Sequence, residues 1–125
     1  MGRLYDGFVP GRHAIDAYGN GGFRFAEMSH RGSILALPSG VVAWAVASPA
    51  QFSEEAFAAV FAEAAEIELL LIGAGPDPVA LAPALRARFR EAGLRVDVMQ
   101  TGAAARTFNV LLAENRRVAA ALVAV

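Results

Sequence analysis

The chain has 125 residues with 11 Arg, no Lys, 4 Asp and 8 Glu, for a formal net charge of −1. That length fits one domain, and a chain of this size buries roughly two-thirds of its unfolded surface without covalent or metal staples. The near-neutral balance excludes the electrostatic footprint of a nucleic-acid binder, and zero Cys excludes disulfide frameworks, thiolate nucleophiles and zinc-thiolate or iron–sulfur ligation. The 28 Ala residues read as a compositional bias and carry no chemistry.

Residues 1–12 combine Gly and Pro with no sustained periodicity and are expected to be a flexible N-terminal arm, leaving 13–125 as the domain. Ile15, Ala17, Phe23 and Phe25 alternate with polar neighbours across Gly19-Asn20-Gly21-Gly22, which predicts a two-stranded hairpin. Ser33 to Leu37 and Val41 to Val46 follow as strands around the turn Pro38-Ser39-Gly40. The first third is therefore expected to be mostly antiparallel sheet.

Helical periodicity starts at Ser53, an N-cap followed by Glu54 and Glu55. Phe57, Val60, Phe61 and Ala64 then form one apolar stripe. The apolar run ending at Ile72, before Gly73-Ala74-Gly75-Pro76, suits a strand covered on both faces. Pro83 fits the first position of a second helix, with Leu85, Phe89 and Ala92 inward and Gly93 at its end. Leu94 to Met99 predicts a strand, Thr101 caps a third helix to about Glu114, and Val118 to Val125 closes the chain as a strand. Strands alternating with helices predict parallel crossovers, hence an α/β domain with a mixed central sheet and helices packed on it.

The run Met99-Gln100-Thr101-Gly102-Ala103-Ala104-Ala105-Arg106-Thr107-Phe108-Asn109, continuing to Glu114, carries a wider resemblance. It joins Arg116-Arg117-Val118, Leu71-Ile72-Gly73-Ala74-Gly75, and Arg31-Gly32-Ser33 ahead of Pro38 and Trp44. Together these resemble the Mth938-like family, a small uncharacterised-domain family that includes the mitochondrial complex I assembly factor 3. The resemblance covers about His13 to Val125. It implies a compact three-layer α/β domain, no established enzymatic activity, and action through protein partners. Where relatives often carry Cys and Tyr in the helical motif, this chain has Ala105 and Phe108, so no mechanism through those side chains applies here.

The candidate site lies where two parallel strands end. In open α/β sheets, ligands bind beyond the carboxyl ends of the strands. Gly73 and Gly75 leave one strand, and Thr101 and Gly102 leave the next. A helix N-terminus there, with Arg106 on an early turn, suits a small carboxylate, a phosphate or an acidic side chain of a partner. The structural alternative is that the glycines permit a tight exit, Thr101 only caps, and Arg106 pairs with an acid such as Glu114. Asn109 shares a helical edge with Arg106 and is expected to hold a neighbouring loop through backbone bonds.

His13 and Asp16, three apart in a segment read as strand, would point to opposite faces, so with His30 they are expected to be solvated and to bind no metal. Glu54 and Glu55, and Glu63, Glu66 and Glu68, fit an outward helix face. Trp44 and Phe57 are expected as core anchors. No serine lies in a nucleophile elbow.

Two functions follow. The first is a non-enzymatic binding or assembly protein, with a protein partner or a second copy, linked to respiratory or membrane complexes. The second is an enzyme or sensor for a small anionic metabolite. No cofactor is implied. Residues 1–10 lack the run of roughly 7 to 15 apolar residues of a secretory signal, and no apolar stretch nears the ~18 residues of a membrane span. A cytoplasmic address is expected.

Overall fold

The computed structural model describes residues 7–125. Nine strands and three helices form two sheets: β1 (Phe8–Pro10), β2 (Ala17–Gly19), β3 (Gly22–Phe25), β4 (Met28–Arg31), β5 (Ser33–Ala36), β6 (Gly40–Trp44), α1 (Ala58–Ala62), β7 (Leu69–Gly73), α2 (Pro83–Glu91), β8 (Arg95–Met99), α3 (Thr101–Ala113) and β9 (Val118–Leu122). A six-stranded mixed sheet runs β1-β6-β5-β9-β7-β8, and β2-β3-β4 form a separate antiparallel meander. β7 is parallel to both β8 and β9, while β5 is antiparallel to β6 and β9.

The layering follows from connection geometry. The β7–β8 and β8–β9 connections run in opposite directions across the sheet, so crossovers of one hand place α2 and α3 on opposite faces. Leu85 and Phe89 of α2 pack with Leu70, Ile72, Trp44 and Phe57 on one face. Ala104, Ala105 and Phe108 of α3 pack on the other face with Leu71, Val118 and the meander's Phe23 and Phe25. Leu70, Leu71 and Ile72 are fully buried, as their continuous apolar run predicts for a strand covered twice. Ala104 and Ala119 to Ala121 are also fully buried. Of these, Ala104 and Ala120 lie in the α3 layer, where their small side chains let α3 lie close to the sheet.

Trp44 and Phe57 are core anchors as expected. The indole Nε1 donates to Ala56 C=O at 2.7 Å, and the Phe57 ring meets Trp44 at 5.3 Å and Phe89 at 5.1 Å between centroids. Pro83 opens α2 as predicted.

Several elements differ from the sequence reading. Within the segment read as an arm, residues 1–6 lie outside those described, while Phe8–Pro10 forms an edge strand against β6. The first predicted helix is broken: 3₁₀ turns at Glu55–Phe57 and Ala64–Glu66 flank the five residues of α1. Ser53 still caps its start, its hydroxyl accepting from Ala56 N–H at 3.1 Å. Glu63 is not simply solvated, because its carboxylate accepts from Ser39 N–H at 2.9 Å and Ser39 Oγ at 2.5 Å. That ties α1 to the β5–β6 turn.

The hairpin turn is the two-residue Asn20-Gly21, both with positive φ, the type that matches strand twist. β4 was not expected, because its turn, Ala26-Glu27, also takes positive φ, 51° and 61°, without Gly or Asn.

Candidate functional site

The two strand exits lie side by side, and they are bonded to each other. β7 and β8 pair in parallel with Gly73 opposite Met99, and Gly73 also lies opposite Leu122 of β9. Ala74 N–H donates to Met99 C=O at 2.8 Å, and Thr101 N–H donates to Gly75 C=O at 2.9 Å. In return, Gly75 N–H donates to Thr101 Oγ1 at 2.9 Å. The Thr101 hydroxyl itself donates a hydrogen bond to Val123 C=O at 2.7 Å. Val123 N–H donates to Gly73 C=O at 2.9 Å. Thr101 is fully buried, so its amide and both hydroxyl functions are consumed inside the protein.

Thr101 is therefore not the helix cap. Gln100 holds the extended cap dihedrals, φ −66° and ψ 156°, and Thr101 is the first helical residue. A Thr at that position, rather than one residue earlier, projects its hydroxyl back onto the neighbouring strand exits instead of along the helix. Gly75 needs its glycine for backbone reasons, with φ +105°. Gly73 needs it for space: a Cβ there would lie 2.8 Å from Thr101 Cα and 3.2 Å from Ala104 Cβ.

Gly102 meets a residue that sequence reasoning missed. The phenol of Tyr18 lies directly against it, and a Cβ at Gly102 would overlap the ring's hydroxyl end. Arg106 Nη1 donates to the same Tyr18 Oη at 3.1 Å. Its partner is thus a phenol and not Glu114 or another acid. A lone tyrosine before a turn gives no signal of this contact, because it joins positions 88 apart in sequence.

Asn109 acts as expected. Its Oδ1 accepts from Ile15 N–H at 2.8 Å and its Nδ2 donates to Ile15 C=O at 2.8 Å, so the side-chain amide pairs with Ile15 as a neighbouring strand would. The segment at residues 13–16, read as strand, is instead held by this clamp. Replacing Asn109 with Ala is expected to cost about 1–3 kcal/mol, through two main-chain groups left without partners. Faster hydrogen exchange at the Ile15 amide, with the β7 amides unchanged, checks it.

Together Ile15, Asp16, Ala17, Tyr18, Ala105, Arg106 and Asn109 line a surface depression of about 350 Å³. Asp16, Tyr18 and Arg106 are its exposed polar groups, and Val110, four residues beyond Arg106 on the same helical edge, is 58% exposed. Ala105 and Phe108 are buried in the core. His13 Nε2 lies 2.9 Å from Pro10 C=O and His30 Nε2 lies 3.2 Å from Ser33 C=O. Among the described residues, no three His, Cys, Asp or Glu side chains gather into a possible metal-binding group.

Comparison with known proteins agrees with this architecture. Residues 15–123 match a family model described as a protein of unknown function, DUF498/DUF598. An uncharacterised protein of Rhodobacter capsulatus is 39% identical over 108 residues, 86% of this chain and 82% of its own length. The NADH dehydrogenase [ubiquinone] 1 alpha subcomplex assembly factor 3 of Mus musculus is 34% identical over 109 residues. This chain spans 87% of itself but 59% of the mouse protein in that match.

Among solved structures, one described as an outer membrane protein from Bartonella henselae superposes with a TM-score of 0.89 at 53% identity, over 92% of this chain and 97% of that one. A Bordetella pertussis Mth938-like domain superposes with a TM-score of 0.78 at 28% identity, over 97% and 91% of the two chains. Motifs, fold and relatives converge: the chain belongs to the Mth938-like DUF498/DUF598 family.

Proposed function

We propose that this protein is a non-enzymatic binding module that helps to assemble a membrane-associated respiratory complex. The carrying observation is the closure of the strand-end crevice. The groups that would receive a metabolite there, the Thr101 amide and hydroxyl and the Gly75 amide, are bonded to one another and to the chain itself. Gly73, Gly75, Thr101 and Gly102 then form a rigid base. Arg106, steadied by Tyr18 while Asn109 holds the adjoining segment, is presented outward with Val110 as a contact surface for a protein. The name of the mouse relative supports this reading.

Among the described residues no helix is long and apolar enough to cross a membrane. We place the protein in the cytoplasm, and fractionation of the host cell decides between that address and the one described for the Bartonella relative.

The test is deletion of the gene in its host. Loss or arrest of the NADH-oxidising complex on native gels, rescued by the wild type and poorly by an Arg106→Glu/Val110→Asp variant, is the expected outcome. Normal complex levels in the deletion strain would overturn the proposal.

A second reading rests on the exposed Arg106 guanidinium beside the 350 Å³ depression, which offers a cation to a small anion. It requires inorganic phosphate or succinate to raise the melting temperature of the wild type and not of Arg106→Ala. With one phenol contact and no buried donor beside it, no such shift is expected.

A further inference from the structure

β8 ends the six-stranded sheet, and its free edge is complementary to itself. Arg95 N–H donates to Glu68 C=O, and Met99 C=O accepts from Ala74 N–H. In a parallel pair the two main-chain groups of one residue point the same way and successive residues alternate, so Val96 and Val98 direct theirs away from the sheet. The side chains alternate as well. Val96 and Val98 pack with Leu94 on the α2 face, where they floor an apolar groove of about 320 Å³ walled by Leu81 and Phe89. Arg95 and Asp97 are exposed on the other face, and neither has an ion-pair partner among the described residues.

We propose that a second copy of this chain pairs antiparallel with β8 about a two-fold axis at Val96. In that register the two Val96 residues exchange N–H and C=O bonds, and Val98 N–H faces Leu94 C=O of the other copy. Arg95 stands opposite Asp97 twice, once on each side of the axis. These charged pairs fall at the non-hydrogen-bonded positions, where opposed Cα atoms are only about 4.5 Å apart and side chains interact most closely.

Other registers lose this match. An axis at Asp97 sets two carboxylates face to face, an axis at Arg95 sets two guanidiniums together, and an axis at Val98 puts Asp97 opposite Met99. On the α2 face, Leu94, Val96 and Val98 of both copies meet and close the two grooves against each other. Arg86 and Arg90, exposed at the groove's rim, cover the seam with their stems and keep their charges in water. The interface is isologous, as a two-fold requires. It lies along the sheet's edge and not at its strand ends, so it stands or falls independently of the assembly role.

Sedimentation equilibrium tests it. The mass of the purified protein is expected to rise from 13.1 kDa toward twice that value as concentration approaches about 0.5 mM, the weak range of small interfaces. Arg95→Asp and Asp97→Arg, each of which opposes like charges twice, are expected to weaken the dimer by about tenfold or more. The double variant restores the complementarity and should return to within about threefold of the wild type.

Val96→Pro removes an N–H that bonds nothing among the described residues and should leave a folded monomer by circular dichroism. A constant 13.1 kDa mass across the range, a dimer indifferent to these changes, or a double variant as weak as the singles overturns the proposal. So does protection of the Val96 and Val98 amides that appears only when a different protein is added, which would assign the edge to strand addition by that partner.

Discussion

Replacing Thr101 with Val is expected to lower the stability of the fold by about 2–4 kcal/mol, because the change is nearly isosteric and removes only hydrogen bonding. Thr101 is fully buried, and its hydroxyl accepts from Gly75 N–H and donates to Val123 C=O. The valine leaves both main-chain groups without partners in a place water does not reach, and each such group costs about 1–3 kcal/mol. For a domain of this size the melting temperature should fall by roughly 8–15 °C. Thr101→Ser keeps the hydroxyl and loses one buried methyl, so it should stay within about 1.5 kcal/mol of the wild type. Calorimetry on the three proteins checks the account, and a valine variant as stable as the serine one would defeat it.

Gly73→Ala is expected to be destabilising by about 1–3 kcal/mol through overpacking. Its new Cβ would lie 2.8 Å from Thr101 Cα, 3.0 Å from Leu122 Cδ2 and 3.2 Å from Ala104 Cβ. The nearest of these is backbone, so β7 and the start of α3 must separate. Gly75→Ala is the informative contrast. A Cβ at Gly75 meets nothing within 4 Å, but φ is +105°, so its penalty of about 1 kcal/mol is conformational. If urea titration gave equal losses whose sum matched the double variant, steric coupling between Gly73 and the helix start would be refuted.

The parts of this fold that were legible in the sequence are those whose burial is uniform or whose boundaries carry backbone chemistry. β7 announced itself through an unbroken apolar run, and α2 through Pro83 at its start and Gly93 after its end. Trp44 and Phe57 were readable as anchors because no basic residues accompany them.

The parts that were not legible depend on tertiary context. β4 reads Met-Ser-His-Arg and follows a turn made by Ala26 and Glu27, neither of which signals positive φ. The first helix kept its apolar stripe, yet its main chain tightens into 3₁₀ turns on either side of α1. At the candidate site, sequence placed the two exits together and gave Asn109 its loop-holding role. It had no means of revealing that the Thr101 hydroxyl turns inward, because the choice between cap and first helical residue is a shift of one position. Nor could it place Tyr18 over Gly102, since nothing local links a hairpin to a helix start so distant in the chain.

The pairing order of the large sheet also bears on how the protein is made. β5 sits between β6 and β9, with Ile34 opposite Leu122, so a strand from the first third of the chain receives its second neighbour from a strand made long after it. Until β9 leaves the ribosome, the apolar edge of β5 has no native partner, and the nascent chain carries an open template for wrong pairing. Long-range closure of this kind folds slowly. The burden on chaperones should therefore persist until β9 has been made.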